Sequence, residues 1–176
     1  MKKKTVLDMQ RISVDEFKAA DKIPLVIVLD NVRSLNNVGS VFRTSDAFRA
    51  SAIYLCGITS TPPHPEIHKT ALGGVESVGG RDAADTGAVI GELHGRGYFV
   101  YAIEQVEGSV SLADIELSPE KKYAVVLGNE VNGVQQQVVD KCDACLEIPQ
   151  YGTKHSLNVS VTAGLVIWDF FKQLFR

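Results

Sequence analysis

The sequence lacks the marks of a secreted or membrane-spanning protein. It contains only three cysteines, an odd number that does not suggest a framework of disulfide bonds. The N-terminal Met-Lys-Lys-Lys is basic but leads into Asp8 and Arg11 without an apolar run, unlike a signal peptide. The longest apolar tract lies near the C-terminus, is interrupted by Asp169 and is too short to span a bilayer. These absences predict a cytoplasmic protein without a membrane partner.

The common nucleotide-binding fingerprints are also missing. No G-x-G-x-x-G follows the first apolar segment, and G-x-x-x-x-G-K-[ST] occurs nowhere, which disfavours an NAD enzyme and a P-loop NTPase. The formal net charge is −3, which argues neither for nor against nucleic acid as a partner. Proteins that neutralise many phosphates are usually basic overall. If this chain binds RNA, its basic residues must therefore be concentrated on a limited part of the surface.

Two pairs of residues have the spacing of metal ligands, but neither predicts a metal site. Cys142 and Cys145 form a C-x-x-C, yet the only other cysteine is Cys56, so a second pair is missing. Cys145 falls in an apolar segment, where a free thiol packs as a small hydrophobic group. His64 and His68 stand four apart without the acid of H-E-x-x-H, which favours a loop or a helix start. No metal is predicted.

Apolar runs alternate with stretches of helical spacing, which predicts one α/β domain with a largely parallel sheet. Residues 1–22 are predicted to form an extension whose short helix starts at the capping box Ser13-Val-Asp-Glu16 and reaches Ala20. The domain itself would cover 23–176. Its predicted strands are 25–29, 51–56, 98–103, 123–127 and 144–148. Its predicted helices are 36–48 (capped by an Asn), 64–72, 86–95, 131–141 and a last one from about 156 almost to the C-terminus.

Polar and glycine residues cluster at or just after the ends of three predicted strands. The clusters are Asn37-x-Gly39-x-x-x-Arg43, the run Leu-Gly-Asn-Glu at 127–130, and Ile-Pro-Gln-Tyr-Gly-Thr-Lys-His-Ser-Leu-Asn at 148–158. Each alone is typical of a turn followed by a helix cap. Ligands bind beyond the carboxyl ends of parallel strands, so we expect the three clusters to converge on one crevice.

The helical spacing adds three local expectations. Asn37 would lie in the first turn of its helix, with Arg43 projecting from the same general side. Glu130 would lie at the opening of the helix 131–141. The last helix would begin near Ser156 and carry along one side Leu157, Val161, Leu165 and Trp168.

Together these motifs resemble, in order, those of the SpoU (TrmH-like) branch of the SPOUT RNA methyltransferases. The resemblance runs from about residue 25 to the C-terminus, and the stretch from Ile148 to Val161 carries its most specific part. Two positions depart from the family pattern: Val131 stands where glycine is usual, and Gln150 where methionine is common. Neither is a catalytic position in the family, so only the shape of the pocket is affected.

The resemblance implies both a fold and an activity. The fold is a SPOUT-type parallel sheet flanked by helices, with a C-terminal deep trefoil knot whose loops hold S-adenosylmethionine. The activity is methylation of a ribose 2′-hydroxyl in tRNA or rRNA, with S-adenosylhomocysteine as the product. Family members are homodimers with the last helix in the interface. That suits a helix whose apolar residues extend beyond one stripe: Val166, Ile167, Phe170, Phe171, Leu174 and Phe175.

Roles for individual residues follow from the same resemblance. Arg43 is the central catalytic residue, and since arginine is hard to deprotonate we expect its charge to orient the hydroxyl and stabilise developing negative charge. Base catalysis by Arg43 remains an alternative. The residues expected to support Arg43 and the ribose-phosphate are Asn37, Glu130, Ser156 and Asn158. The residues expected to contact the cofactor are Leu127, Gly128, Ile148, Gln150, Gly152 and Leu157.

The sequence says less about the RNA substrate than about the cofactor. Phosphate contacts are predicted for Arg33, Arg49 and Lys69 in addition to Arg43. The chain has no room for a ribosomal-protein-like RNA-binding domain, which favours tRNA over rRNA by analogy. Two alternatives stay open: an RNA-binding module of the same fold without catalysis, and a small-molecule α/β enzyme that uses another nucleotide.

Overall fold

The structure, a computed structural model, describes residues 1–5 and 7–175 and is built on one parallel sheet. Its seven strands lie in the order β3-β2-β1-β6-β4-β7-β5, and every neighbouring pair is parallel. The strands are β1 Ile23–Asp30, β2 Ala50–Cys56, β3 Gly80–Ala83, β4 Tyr98–Ile103, β5 Val110–Ser111, β6 Lys122–Leu127 and β7 Ala144–Glu147. The predicted α/β fold with a parallel sheet is confirmed.

Helices cover both faces of the sheet. They are α1 Val14–Ala19, α2 Leu35–Ala47, α3 Pro65–Ala71, α4 Gly74–Val78, α5 Thr86–Gly95, α6 Gln136–Val139 and α7 Val159–Leu174, with short 3₁₀ turns at Leu7–Met9 and Leu112–Asp114. Helices α2, α3, α4 and α7 contribute to the core on one face, and α5 and α6 to the core on the other. Helix α1 packs against α4. No helix in the described part of the chain is long and apolar enough to cross a membrane.

The central strand β1 shows why a continuous apolar run predicts a strand buried on both faces. Leu25, Ile27 and Leu29 point into the core beneath α2 and α7, while Val26 and Val28 point into the core beneath α5. Successive side chains of a strand alternate between its faces, so a strand covered on both sides needs apolar residues at every position.

Most predicted elements are present, with small differences at their ends. The capping box is formed: the Ser13 hydroxyl accepts the Glu16 N–H at 3.2 Å, and the Glu16 carboxylate accepts the Ser13 N–H at 2.7 Å. Helix α5 and strand β4 have the predicted bounds. His64 caps α3 by accepting the Glu66 N–H at 3.2 Å, which confirms the helix-start interpretation. Helix α2 is capped by Ser34, so the prediction of an Asn cap was wrong.

The predicted helix over 131–141 was wrong in its first half. The backbone groups of Asn129 and Gly133 pair with each other at 3.0 and 2.9 Å, and the Asn129 side chain accepts the N–H groups of Val131 and Asn132. This Asn side chain and the left-handed backbone of Gly133 (φ 67°) favour a turn over a helix. Only Gln136–Val139 is helical, so Glu130 precedes a loop.

The last helix begins three residues later than predicted. Asn158 is its cap, accepting the N–H groups of Ser160 at 2.9 Å and Val161 at 3.3 Å. Its buried side consists of Val159, Ala163, Val166, Ile167, Phe170 and Leu174. The predicted stripe of Leu157, Val161, Leu165 and Trp168 therefore faces outward. Arg176, the last residue of the predicted domain, lies outside the described residues.

Candidate active-site cleft

A cleft of about 670 Å³ opens where strands β4, β6 and β7 end. Four segments line it: residues 103–106 after β4, residues 127–134 after β6, residues 146–150 after β7, and residues 155–159 at the start of α7. All are at the carboxyl ends of parallel strands or at a helix N-terminus, the positions at which such sheets bind ligands. The second and third sequence clusters thus converge here, as predicted.

The turn after β6 is closed by a tight glycine contact. A Cβ atom on Gly128 would lie 2.1 Å from the carbonyl carbon of Gly133 and 2.2 Å from the nitrogen of Val134. These are backbone atoms that cannot swing aside as the end of a side chain can. Gly128 therefore lets the two ends of the turn pack directly on each other at the wall of the cleft.

One carboxylate joins the first two clusters. Glu130 accepts the N–H groups of Arg33 and Ser34, both at 2.9 Å, and the side-chain amide of Asn37 at 3.0 Å. The first two donors precede helix α2 and the third lies in its first turn, so the negative charge also lies near the positive end of the helix dipole. The N-terminus of α2 is thereby tied to the loop after β6.

The third cluster joins through Asn37. The Asn158 side-chain amide donates to the Asn37 side-chain oxygen at 3.2 Å, while the Asn158 oxygen caps α7. Asn37 is buried, with 8% of its surface exposed. Glu130, Asn37 and Asn158 therefore form one hydrogen-bonded chain that connects all three motifs.

The same bonds set the charge state of Glu130. Partial burial raises the pKa of its carboxyl, but hydrogen bonds from Arg33, Ser34 and Asn37 outweigh burial, and the pKa lies below its ordinary value. Glu130 is consequently a carboxylate at neutral pH. It acts in this chain as a hydrogen-bond acceptor and not as a proton donor.

Most residues predicted to form the site line the cleft. They are Leu127, Gly128, Glu130, Ile148, Gln150, Ser156, Leu157 and Asn158. Asn37 lies behind Glu130 and Asn158 and touches the cleft only through them. Gly152 is exposed and is not among the lining residues.

Arg43 is not among the residues that line the cleft. It lies on the exposed side of α2, six residues after Asn37 and about 120° away around the helix axis, so the prediction that the two share a side was wrong. Gly74 of α4 packs beside its Cα atom. No hydrogen bond or ion pair joins its guanidinium to any residue that the structure describes.

The three residues predicted to contact phosphate do not form one surface. Arg33 is exposed beside the network, since its N–H group donates to Glu130. Lys69 is exposed on α3. Arg49 immediately precedes β2, at the end of the sheet away from the cleft, and its guanidinium lies 5.8 Å from the centre of the Phe175 ring. Their roles stay predictions.

Sequence reasoning missed Glu104, which follows β4 at the rim of the cleft. Its carboxylate accepts the N–H groups of Gln105 at 2.9 Å and Val134 at 3.0 Å. The signal was present: an acid directly after a predicted strand lies at the same sheet edge as the other clusters. With Glu104, Glu130 and Glu147, the cleft has three acidic lining residues, and none of its described lining residues is Lys or Arg.

Comparison with known protein families gives one match over most of the chain. Residues 24–168 match the model of the SpoU rRNA Methylase family. A Staphylococcus saprophyticus protein, named in the TrmH family of tRNA/rRNA methyltransferases, is 28% identical over 160 residues, which cover 91% of this chain and 63% of that protein. The chain spans only 61–63% of the length of such curated relatives.

Two solved structures share the fold. An AdoMet-bound rRNA methyltransferase from Sinorhizobium meliloti superposes with a TM-score of 0.80 at 28% identity, covering 91% of this chain and 61% of that one. A second structure, whose description concerns the 2-OH methylation of C/U34 on tRNA, superposes with a TM-score of 0.75 at 25% identity. The superposition covers 85% of this chain and 95% of that one.

Proposed function

The chain belongs to the SpoU rRNA methylase family, and we propose on this basis that it transfers the methyl group of S-adenosylmethionine to a ribose 2′-hydroxyl in RNA. We further propose that residues 23–176 form the methyltransferase domain, with 1–22 as an extension, and that tRNA is a better substrate than rRNA. The observation that carries the proposal is the chain of hydrogen bonds through Glu130, Asn37 and Asn158, which joins all three family motifs at one cleft. The solved structure whose description names the 2-OH methylation of C/U34 on tRNA supports two parts of this proposal: the ribose hydroxyl as the methylated group and tRNA as the substrate.

The cleft suits a cationic cofactor better than a phosphorylated one. The sulfonium of S-adenosylmethionine is positive, and three acidic residues line the cleft without a described Lys or Arg. NAD and ATP carry phosphates, which these carboxylates would repel. This charge pattern argues against the alternative of a small-molecule enzyme that uses another nucleotide.

Apolar and backbone groups would hold the cofactor. Leu127, Ile148 and Leu157 offer apolar contacts, and Gly128 keeps the neighbouring turn tight. Gln150 adds a polar side chain, while Gly152 lies outside the lining. When bound, the cofactor supplies the electrophilic methyl group, and the remaining task of the protein is to position the hydroxyl.

We propose that the loops around the cleft form a trefoil knot. The strand order supports this: after β4 the chain forms β5 at the sheet edge, inserts β6 between β1 and β4, and returns to form β7 on the other side of β4. The segments that follow β6 and β7 both line the cleft, as the resemblance implies for knot loops that hold the cofactor.

In the proposed mechanism, the cleft residues orient the ribose and Arg43 supplies positive charge. Ser156 and Asn158 lie at the cleft wall, where they can hydrogen-bond the ribose. Arginine has a pKa of roughly 12 or more, so its charge would stabilise the oxygen as it becomes more alkoxide-like. Because Arg43 faces away from its own cleft, we propose that it acts at the cleft of a second copy.

The outer side of α7 supports such a homodimer. Val161, Leu165 and Trp168 are 52%, 43% and 46% exposed and form one apolar stripe along the helix. Phe48, the C-cap residue of α2, continues this surface, with the centre of its ring 5.2 Å from that of Trp168. Contiguous exposed apolar surface of this kind marks an interface more often than free solvent-facing surface. Arg43 lies on the exposed side of α2, the helix that neighbours this stripe.

The first experiment measures incorporation of labelled methyl into total tRNA and rRNA. Arg43→Ala should abolish transfer while leaving cofactor affinity nearly unchanged, and Arg43→Lys should not restore it, because lysine lacks the planar fork of donors. Arg11→Ala, an exposed arginine in the extension, serves as the matched control and should remain active. Full turnover by Arg43→Ala would refute the mechanism. Absence of methyl incorporation into any RNA by the wild type would favour the alternative, a non-catalytic RNA-binding module.

The second experiment tests whether Arg43 acts across a dimer. Arg43→Ala and Asn158→Ala chains, each inactive alone, are unfolded and refolded together. Since half of the dimers are mixed and each would contain one intact site, we expect about a quarter of wild-type activity. No recovered activity would show that both residues must come from the same chain.

A further inference from the structure

Glu104 is a carboxylate that none of the family motifs and no step of the mechanism uses. It directly follows β4, is half-buried, and lines the cleft beside the turn after β6. It forms no ion pair with any residue that the structure describes. A half-buried carboxylate at the wall of a ligand cleft is placed to accept hydrogen bonds from a bound ligand.

The surrounding backbone is shaped around this carboxylate. Each of its oxygens accepts one backbone N–H, from Gln105 at 2.9 Å and from Val134 at 3.0 Å. Gly133 packs against it so closely that an added Cβ would lie 2.2 Å from Oε2, and its φ of 67° also favours glycine. The plane and position of the carboxylate are therefore held from two sides.

Its hydrogen-bonding capacity is only half used. Each carboxylate oxygen accepts about two hydrogen bonds, and each has one donor here. One acceptor position remains on each oxygen. Two neighbouring acceptors in a fixed plane match a pair of adjacent hydroxyl donors, which a cofactor ribose presents.

The strand order indicates which part of the cofactor lies at this wall. Glu130 and Asn158 belong to the network with α2, on the β1 side of β6, where the reacting hydroxyl is placed in the proposed mechanism. Glu104 follows β4, on the opposite side of β6. The methyl-bearing sulfonium must lie at the first wall, so a part of the cofactor remote from the reaction faces Glu104.

We propose that the Glu104 carboxylate accepts hydrogen bonds from the 2′- and 3′-hydroxyls of the cofactor ribose. This inference rests on the proposed function, because it requires that S-adenosylmethionine binds in this cleft. Glu104 is then a specificity residue that selects a ribonucleoside cofactor and fixes the turn after β6 at the same time.

Calorimetric titration of the full chain with S-adenosylmethionine, with S-adenosylhomocysteine and with the 2′-deoxy and 3′-deoxy analogues of S-adenosylhomocysteine tests the proposal. We expect Glu104→Gln to weaken S-adenosylhomocysteine by about 10- to 100-fold, since hydrogen bonds to a charge are lost. The deoxy analogues should already bind weakly to the wild type and lose much less on substitution. Glu107→Gln, an exposed acid in the same loop, is the matched control and should change neither affinity.

Four outcomes would overturn the proposal. Equal weakening of S-adenosylhomocysteine and both deoxy analogues would show that Glu104 holds the turn or contacts a part of the cofactor other than these two hydroxyls. Greater weakening of S-adenosylmethionine than of S-adenosylhomocysteine would show recognition of the sulfonium instead. If the wild type bound neither compound, the proposed function would fail together with this inference, whereas normal binding without ribose selectivity would overturn this inference alone. Should Glu104→Gln not fold, the comparison of analogues in the wild type and in Glu104→Asp gives the same decision.

Discussion

Replacement of Gly128 by alanine should open the turn that forms one wall of the cleft. The new Cβ would lie 2.1 Å from the carbonyl carbon and 2.4 Å from the carbonyl oxygen of Gly133. Ordinary contact is near 3.5 Å, so the turn must move by roughly 1 Å or more. Overpacking of this kind costs about 1–3 kcal/mol, which corresponds to a fall in Tm of roughly 2–12 °C for a chain of this size.

The displacement should also weaken cofactor binding, because the turn carries Glu130 and contacts Glu104. We expect the Kd of Gly128→Ala for S-adenosylmethionine to rise by at least about 10-fold, since small misplacements of a preorganised site are costly. Thermal unfolding and calorimetric titration measure the two effects. Gly91→Ala, in the open middle of α5 with no atom outside the local helix backbone within 4 Å of the added Cβ, is the matched control and should slightly stabilise the protein. Unchanged Tm and affinity in Gly128→Ala would refute the account of the turn.

Three further predictions concern charge, thiols and buried hydrogen bonds. The pKa of Glu130 is lowered in the folded protein, so this carboxylate stabilises the fold above the ordinary glutamate pKa of about 4.3 and loses that effect as pH falls. The difference in unfolding free energy between the wild type and Glu130→Gln should therefore be present at pH 7 and shrink as pH falls from about 4.3 through the lowered pKa of the folded state, as measured by urea titration. Burial raises the pKa values of Cys56 and Cys142 to about 12. Both thiols should therefore resist iodoacetamide at pH 8 until the protein is unfolded. Rapid labelling of either of these two thiols in the native protein would contradict this. Thr86 donates its hydroxyl at 2.6 Å to Asp30, which is 1% exposed, so Thr86→Val should cost about 1–3 kcal/mol in the same urea titration, and an unchanged midpoint would count against that bond.

The strands and helices that the sequence could predict are those marked by a pattern of neighbouring residues. Apolar runs identified β1, β4 and β6 because buried parallel strands need apolar residues on both faces. Edge strands lack that signature, which is why the exposed Gly80–Ala83 and the two-residue Val110–Ser111 were missed. The apolar spacing after Glu130 indicated a helix, but a turn closed by Asn129 and Gly133 prevailed.

The sequence by itself determined the buried strands, the capping box at Ser13 and the three polar clusters, because each depends on residues close together in the chain. Only the tertiary structure decided which clusters meet. Strand β6 inserts between β1 and β4, and this non-local pairing brings Glu130 to Asn37, 93 residues away in sequence, and Glu104 to the same cleft.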